Sequence, residues 1–136
     1  MSRVALLAAL LACPALAADP HKQAVASFYE LRERTLDERG TPADVERLLA
    51  LMADAVRYEH PKPGVAMTRA EVRAGMLAHL NEGKGAKYQL KRARFGKDFA
   101  VVEVTLDYTV DGKRVVQNGA ALFEFRGNKI SRVAEY

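Results

Sequence analysis

The stretch 48–61, LLALMADAVRYEHP, changes its period in mid-course. Val45, Leu48, Leu49 and Met52 fall at i, i+3, i+4 and i+7, the apolar stripe of a helix. From Val56 the spacing is two. Val56, Tyr58 and His60 share one side, Arg57 and Glu59 the other, and Pro61 ends the run. A helix therefore hands over to a short strand, expected over 56–60, whose end carries His60. Everything before this point reads as helix, and most of the chain after Tyr88 reads as sheet.

Upstream, Ala24, Phe28, Leu31 and Thr35 form one helical row over 21–39, and Val25, Tyr29, Arg32 and Leu36 form the next. Gly40 suits a left-handed cap, and Thr41-Pro42 opens a second helix with Asp44 in its first turn. Lys62-Pro63-Gly64 reads as a loop. Thr68-Arg69-Ala70-Glu71 is a capping box for a third helix, whose inner face is Val72, Met76, His79 and Leu80. Downstream, strands are expected at about 86–95, 99–109, 114–126 and 129–136, joined by the short turns Gly96-Lys97-Asp98, Asp111-Gly112 and Gly127-Asn128. Short turns make these four an antiparallel meander, with the 56–60 strand on one edge. Three N-terminal helices on the concave face of a strongly curved antiparallel sheet give an α+β, cone-shaped fold.

Residues 1–17 stand apart from this domain. Met1-Ser2-Arg3 is a positive start, Val4 to Ala12 an apolar run, and Ala15-Leu16-Ala17 a small-x-small cleavage site. The expectation is a signal peptide at 1–17, too short to span a membrane, before a single domain over 18–136 that is exported to the periplasm or secreted. Leu10-Leu11-Ala12-Cys13 loosely matches a lipoprotein box, so a lipid anchor at Cys13 is the competing expectation. The net charge of +4 is too mild to argue for nucleic acid. No aromatic groups interleave the basic run Lys84, Lys87, Lys91, Arg92, Arg94 and Lys97, which reads as a solvated outer face.

The handover LLALMADAVRYEHP, then Gly64, then TRAEVRAGMLAHL, and the terminal pair ALFEFRGNKISRVAEY with its Phe-x-Phe strand carry a resemblance. Over nearly all of 21–136 the chain resembles the nuclear transport factor 2-like superfamily, in its SnoaL-like and ketosteroid isomerase-like branch. That superfamily hosts isomerases, cyclases, dehydratases, hydrolases and non-catalytic modules. Its isomerases place a catalytic acid in a Glu-Asp-Pro segment; the matching residues here are Glu59-His60-Pro61, so the resemblance puts His60 in the place of the base. It also gives Tyr29 the place of an oxyanion donor. The second donor, an aspartate two residues before the Phe-x-Phe strand, corresponds to Ala121, which donates nothing. Losing one donor of such a pair costs a few kcal/mol, which argues against ordinary steroid isomerisation.

Strand parity puts Gln117, Gly119, Ala121, Phe123 and Phe125 on one face, and the resemblance makes that face concave. Gln117, Ala121 and Phe123 would then line a pocket with Phe28, Met52, Tyr58, Met76, His79 and Tyr88, a few polar groups among apolar walls. The same pattern also describes a filled core. No His-x-x-x-His or similar spacing brings His60 and His79 together with Asp54 or Glu59, so no metal and no cofactor are expected. The first functional reading is an exported domain binding a small apolar or amphipathic molecule, without chemistry of its own. The second is an isomerase, dehydratase or cyclase with His60 as base. The third is an interaction module, a homodimer through the outer sheet face bearing Val101, Glu103, Thr105 and Asp107.

Overall fold

A computed structural model describes residues 19–136; the expected signal peptide, its cleavage site and Cys13 lie outside the described residues. Helix α1 (Pro20–Leu36) starts where the Asp19 carboxylate accepts the His21 N–H at 3.0 Å, with Pro20 in the first turn. Helix α2 (Pro42–Ala50) starts at Thr41, whose N–H donates to the Asp44 carboxylate at 2.9 Å. Helix α3 (Arg69–Ala78) has the expected capping box: Thr68 and Glu71 bond each other's backbone N–H at 3.3 and 2.7 Å. No helix among the described residues is long and apolar enough to cross a membrane.

Six strands form one open sheet: β1 (Met52–His60), β2 (Val65–Met67), β3 (Lys84–Phe95), β4 (Phe99–Val110), β5 (Lys113–Arg126) and β6 (Lys129–Glu135), in the order β2-β1-β6-β5-β4-β3. The last four are the expected meander. The Asp111-Gly112 turn takes positive φ at both residues, 50° and 73°, as a type I′ two-residue hairpin requires. Register shifts between β3 and β4, between β1 and β6, and between β5 and β6 break the regular ladder, and bulges of this kind bend the strand that carries them.

Four expectations need correction. The sheet is mixed, because β1 runs parallel to β6; the intervening helix α3 and the meander return the chain to β1's side. The helix-to-strand change comes at Leu51, so Met52 begins β1. Between the expected 62–64 loop and α3 lies an extra strand, β2; it is three residues long, too short to show a period, and pairs with the end of β1 through Tyr58–Met67 and His60–Val65. Gly40 has no left-handed backbone. It is required because a Cβ there would lie 2.2 Å from the Arg34 carbonyl oxygen.

The core occupies one end of the cone. Val25 and Phe28 of α1, Val45, Leu48 and Leu49 of α2, Phe123 of β5, and Ile130 and Val133 of β6 are fully buried there. Phe28 meets Phe123 edge-on at 5.0 Å and Tyr29 at 5.1 Å. At the other end, the segment between α3 and β3 is tied to the end of α1: Asn81 N–H donates to the Thr35 carbonyl at 3.0 Å, and Gly83 N–H to the Leu36 carbonyl at 2.7 Å. On the opposite side of β1, Glu59 is buried beneath Arg132 (2.7 Å) and Arg57. The outer face is largely self-paired: Asp107 with Arg114, Thr105 with Asn118 and Glu103 with Arg92, while Val101 stays exposed. The six basic residues from Lys84 to Lys97 are exposed, as expected.

Candidate functional site

The open end of the cone holds a cavity of about 470 Å³ between α1, the β1–β2 pair, α3, and the far ends of β4 and β5. Its apolar wall is Leu36, Val65, Met67, Val72, Met76, Leu106 and Val110; Arg32, Thr35, Tyr58, His60, Tyr108 and Gln117 supply polar groups. A second chamber of about 180 Å³ adjoins it, lined in part by Tyr29, Tyr88, Gly119, Ala121 and Glu135. Arg32, Leu106 and Gln117 border both.

The polar groups form one cluster. The buried Tyr58 hydroxyl donates to one Glu135 carboxylate oxygen, and His60 Nδ1 lies 3.8 Å from the other. The Tyr58 and His60 rings are 5.6 Å apart. Arg32 donates from one terminal nitrogen to the Tyr88 hydroxyl at 3.5 Å, a long contact, and its buried Nε has no partner among the described residues. Burial opposes the Arg32 charge, but Tyr58, Tyr88 and Glu135 around it more than compensate and push its pKa up. The Tyr29 hydroxyl is also buried without a partner; burial, then the nearby Glu135 and Tyr88, push it up, with Arg32 opposing. Burial and then Glu135 likewise raise Tyr58. The Tyr29 and Tyr58 phenols therefore stay protonated donors near neutral pH.

The residues expected at the site divide into groups. Tyr58, His60, Met76, His79 and Gln117 line the large cavity; Tyr29, Tyr88 and Ala121, with Gln117 again, line the small one. Phe28, Met52 and Phe123 do not line either: at 0%, 3% and 0% exposure they are packed between helices and sheet behind the chambers. His79 departs from its expected inward position. It caps the end of α3 with its side chain 67% exposed, and its Nδ1 bonds the Glu82 carboxylate at 2.8 Å on the cavity rim. No group of three or more His, Cys, Asp or Glu side chains converges as a metal site among the described residues.

Two central residues escape a reading of the sequence alone. Arg32 stands in the row Val25, Tyr29, Leu36, and a charged residue in an apolar helical row is the signal that marks it. Glu135 shares parity with the buried Val133 and pairs directly across the ladder with Ala121. Paired residues face the same side of a sheet, so the carboxyl that Ala121 lacks on β5 is present one strand away on β6.

This open mixed sheet, with three helices and a polar cluster inside, defines an α+β domain of nuclear transport factor 2-like fold. The SnoaL-like domain family matches residues 21–133, and the chain belongs to that family. No functionally curated protein matches it. Among solved structures, it is similar to a protein of ketosteroid isomerase-like fold from Catenulispora acidiphila, in complex with trimethylamine (18% identity, 84% of each chain, TM-score 0.68). It is also similar to an epoxide hydrolase from M. tuberculosis (14% identity, 86% of this chain and 81% of that one, TM-score 0.69). A third is a putative polyketide cyclase from Xanthomonas campestris (20% identity, 86% and 89%, TM-score 0.66). At these identities the likeness establishes the fold alone.

Proposed function

We propose that this domain binds one small, largely apolar molecule in its large cavity, with the floor cluster gripping that molecule's polar group. The observation that carries the reading is the cavity itself: about 470 Å³ remains open beside a fully packed core, and polar side chains converge at its floor. Met76 lines this space without filling it, while Met52 and Phe123 belong to the sealed end. The neighbours named after a bound amine, an epoxide and a polyketide agree with small-molecule handling on this fold. The leader-like pattern of residues 1–17 supports binding outside the cytoplasm. Native mass spectrometry of the protein recovered from the exported fraction tests both points. A chain beginning at Ala18 with a bound small molecule supports them; recovery only from the cytoplasm with an empty cavity overturns them.

One observation favours a second reading, an enzyme of the isomerase, dehydratase or cyclase kind. His60 borders the cavity while its Nδ1 faces Glu135 at 3.8 Å, which leaves Nε2 to take a proton from a bound molecule. Under this reading His60→Ala abolishes turnover of the molecule found by mass spectrometry, and unchanged turnover rejects it.

A further inference from the structure

Inside the cone, Arg32 is a cation without a matching anion in contact. Its donors meet a single long bond to Tyr88 at 3.5 Å, its Nε is buried and unpartnered, and no carboxylate among the described residues lies within ion-pair distance. Glu135, the nearest acid in the cluster, is committed elsewhere: one oxygen accepts from Tyr58 and the other faces His60. A second free donor, the Tyr29 hydroxyl, is buried in the small chamber on the other side of Arg32, in a residue only 3% exposed. Buried donors left unsatisfied are costly, and two in one place indicate that something else is meant to accept from them.

We propose that the ligand is an amphipathic carboxylic acid. Its carboxylate sits at the junction of the two chambers on Arg32, Gln117 and Tyr29, and its apolar body lies along Leu36, Met76 and Val110. This assignment rests on the ligand-binding function proposed for the cavity and names the ligand class. Arg32 and Gln117 border both chambers, so a group at the junction reaches both while its body extends into the larger one. Guanidinium offers paired donors that match a carboxylate. One cation with Glu135 close by suits a monoanion and disfavours a phosphate, whose second charge would meet Glu135 unbalanced.

The test is calorimetric titration of the purified protein with naphthylacetate, naphthylacetamide and naphthylethylamine, which share a body and differ in head-group charge. The acid is expected to bind at least about ten-fold more tightly than the amide, with the amine weakest. Arg32→Gln should weaken the acid at least about ten-fold and so erase its preference over the amide. Tyr29→Phe, which keeps the core shape should Arg32→Gln fail to fold, should weaken the acid alone by a few fold. Glu135→Gln should tighten the acid, because it removes a like charge. Equal binding of acid and amide overturns the head-group assignment and leaves the cavity reading standing. Acid preference that survives in a folded Arg32→Gln protein also overturns it. Absence of binding by all three compounds overturns both.

Discussion

Phe28 and Arg32 stand one turn apart on α1 and end in opposite environments. Phe28 is fully buried against Phe123 and Tyr58. Arg32, four residues later on the same face, borders two chambers and has donors to spare. The same helix thus closes one end of the cone and furnishes the other. The difference lies in the elements opposite. At the sealed end α2 fills the space with Val45, Leu48 and Leu49, whereas beyond Leu36 the helix stops and the short α3, with β2, forms only a wall. Stability should therefore concentrate at the sealed end, and binding at the open one.

Phe123→Ala is the largest expected break in the sealed end. The ring is fully buried and meets two aromatic neighbours edge-on, so its loss should cost roughly 3–5 kcal/mol of unfolding free energy in urea titration. A cost below about 1 kcal/mol would show that this end repacks freely and that the contrast between the two ends is wrong.

Asp44 comes next. Its carboxylate is 1% exposed and holds the Thr41 N–H (2.9 Å) and hydroxyl (3.1 Å), Arg47 (2.9 Å) and Arg34 (3.1 Å). Removing these bonds with Asp44→Ala should cost about 2 kcal/mol at neutral pH. Burial pushes the Asp44 pKa up, but the Thr41 bonds and Arg34 outweigh it and hold it below the ordinary 3.8. A depressed carboxylate stabilises the fold above its unfolded pKa and loses that contribution as pH falls through the folded value. The stability difference between wild type and Asp44→Ala should thus be constant from neutral pH to about 5 and shrink below 4. A gap that stays constant to pH 2 would contradict this assignment.

How far these two ends are legible in the sequence differs for the same physical reason. The sealed end emerges from periodicity, since Phe28, Leu48, Leu49 and Phe123 occupy apolar rows whose partners are equally apolar. Periodicity cannot separate a packed face from a cavity wall, so Phe28, Met52 and Phe123 read as pocket residues alongside Met76. It also hides charged groups facing inward: Arg32 and Glu135 match the row and parity of buried neighbours, yet each looks like a surface residue when taken alone. The resemblance marks Ala121 as a missing acid, but that Glu135 faces it across the ladder depends on the β5–β6 register, which two strands joined by Gly127-Asn128 do not reveal beyond their turn.

Tyr58→Phe probes the boundary between the two ends. Its ring is 2% exposed and packs toward Phe28, while its hydroxyl serves Glu135 at the cavity floor. Deleting the oxygen keeps the packing and removes one charge-assisted bond to a carboxylate that is 25% exposed and can recruit water. A loss of about 1 kcal/mol is expected in thermal or urea unfolding. A loss approaching the Phe123→Ala value would place the Tyr58–Glu135 bond within the structural core and remove it from the site.

Gln117→Leu should have the smallest effect on folding and the clearest effect on binding. Gln117 is exposed, borders both chambers and is paired with Leu106 only through the β4–β5 backbone. Because its side chain satisfies no other group among the described residues, the substitution should change stability by less than about 0.5 kcal/mol. A ligand that takes a hydrogen bond from the amide would lose about 1 kcal/mol, a several-fold drop in affinity by calorimetry. The two readouts separate the ends of the cone with one residue. Lower stability with unchanged affinity would mean that Gln117 supports the strand ends and that the polar floor stops at Arg32. Unchanged stability with weakened binding is the outcome required if the open end was left unfilled so that a ligand can complete it.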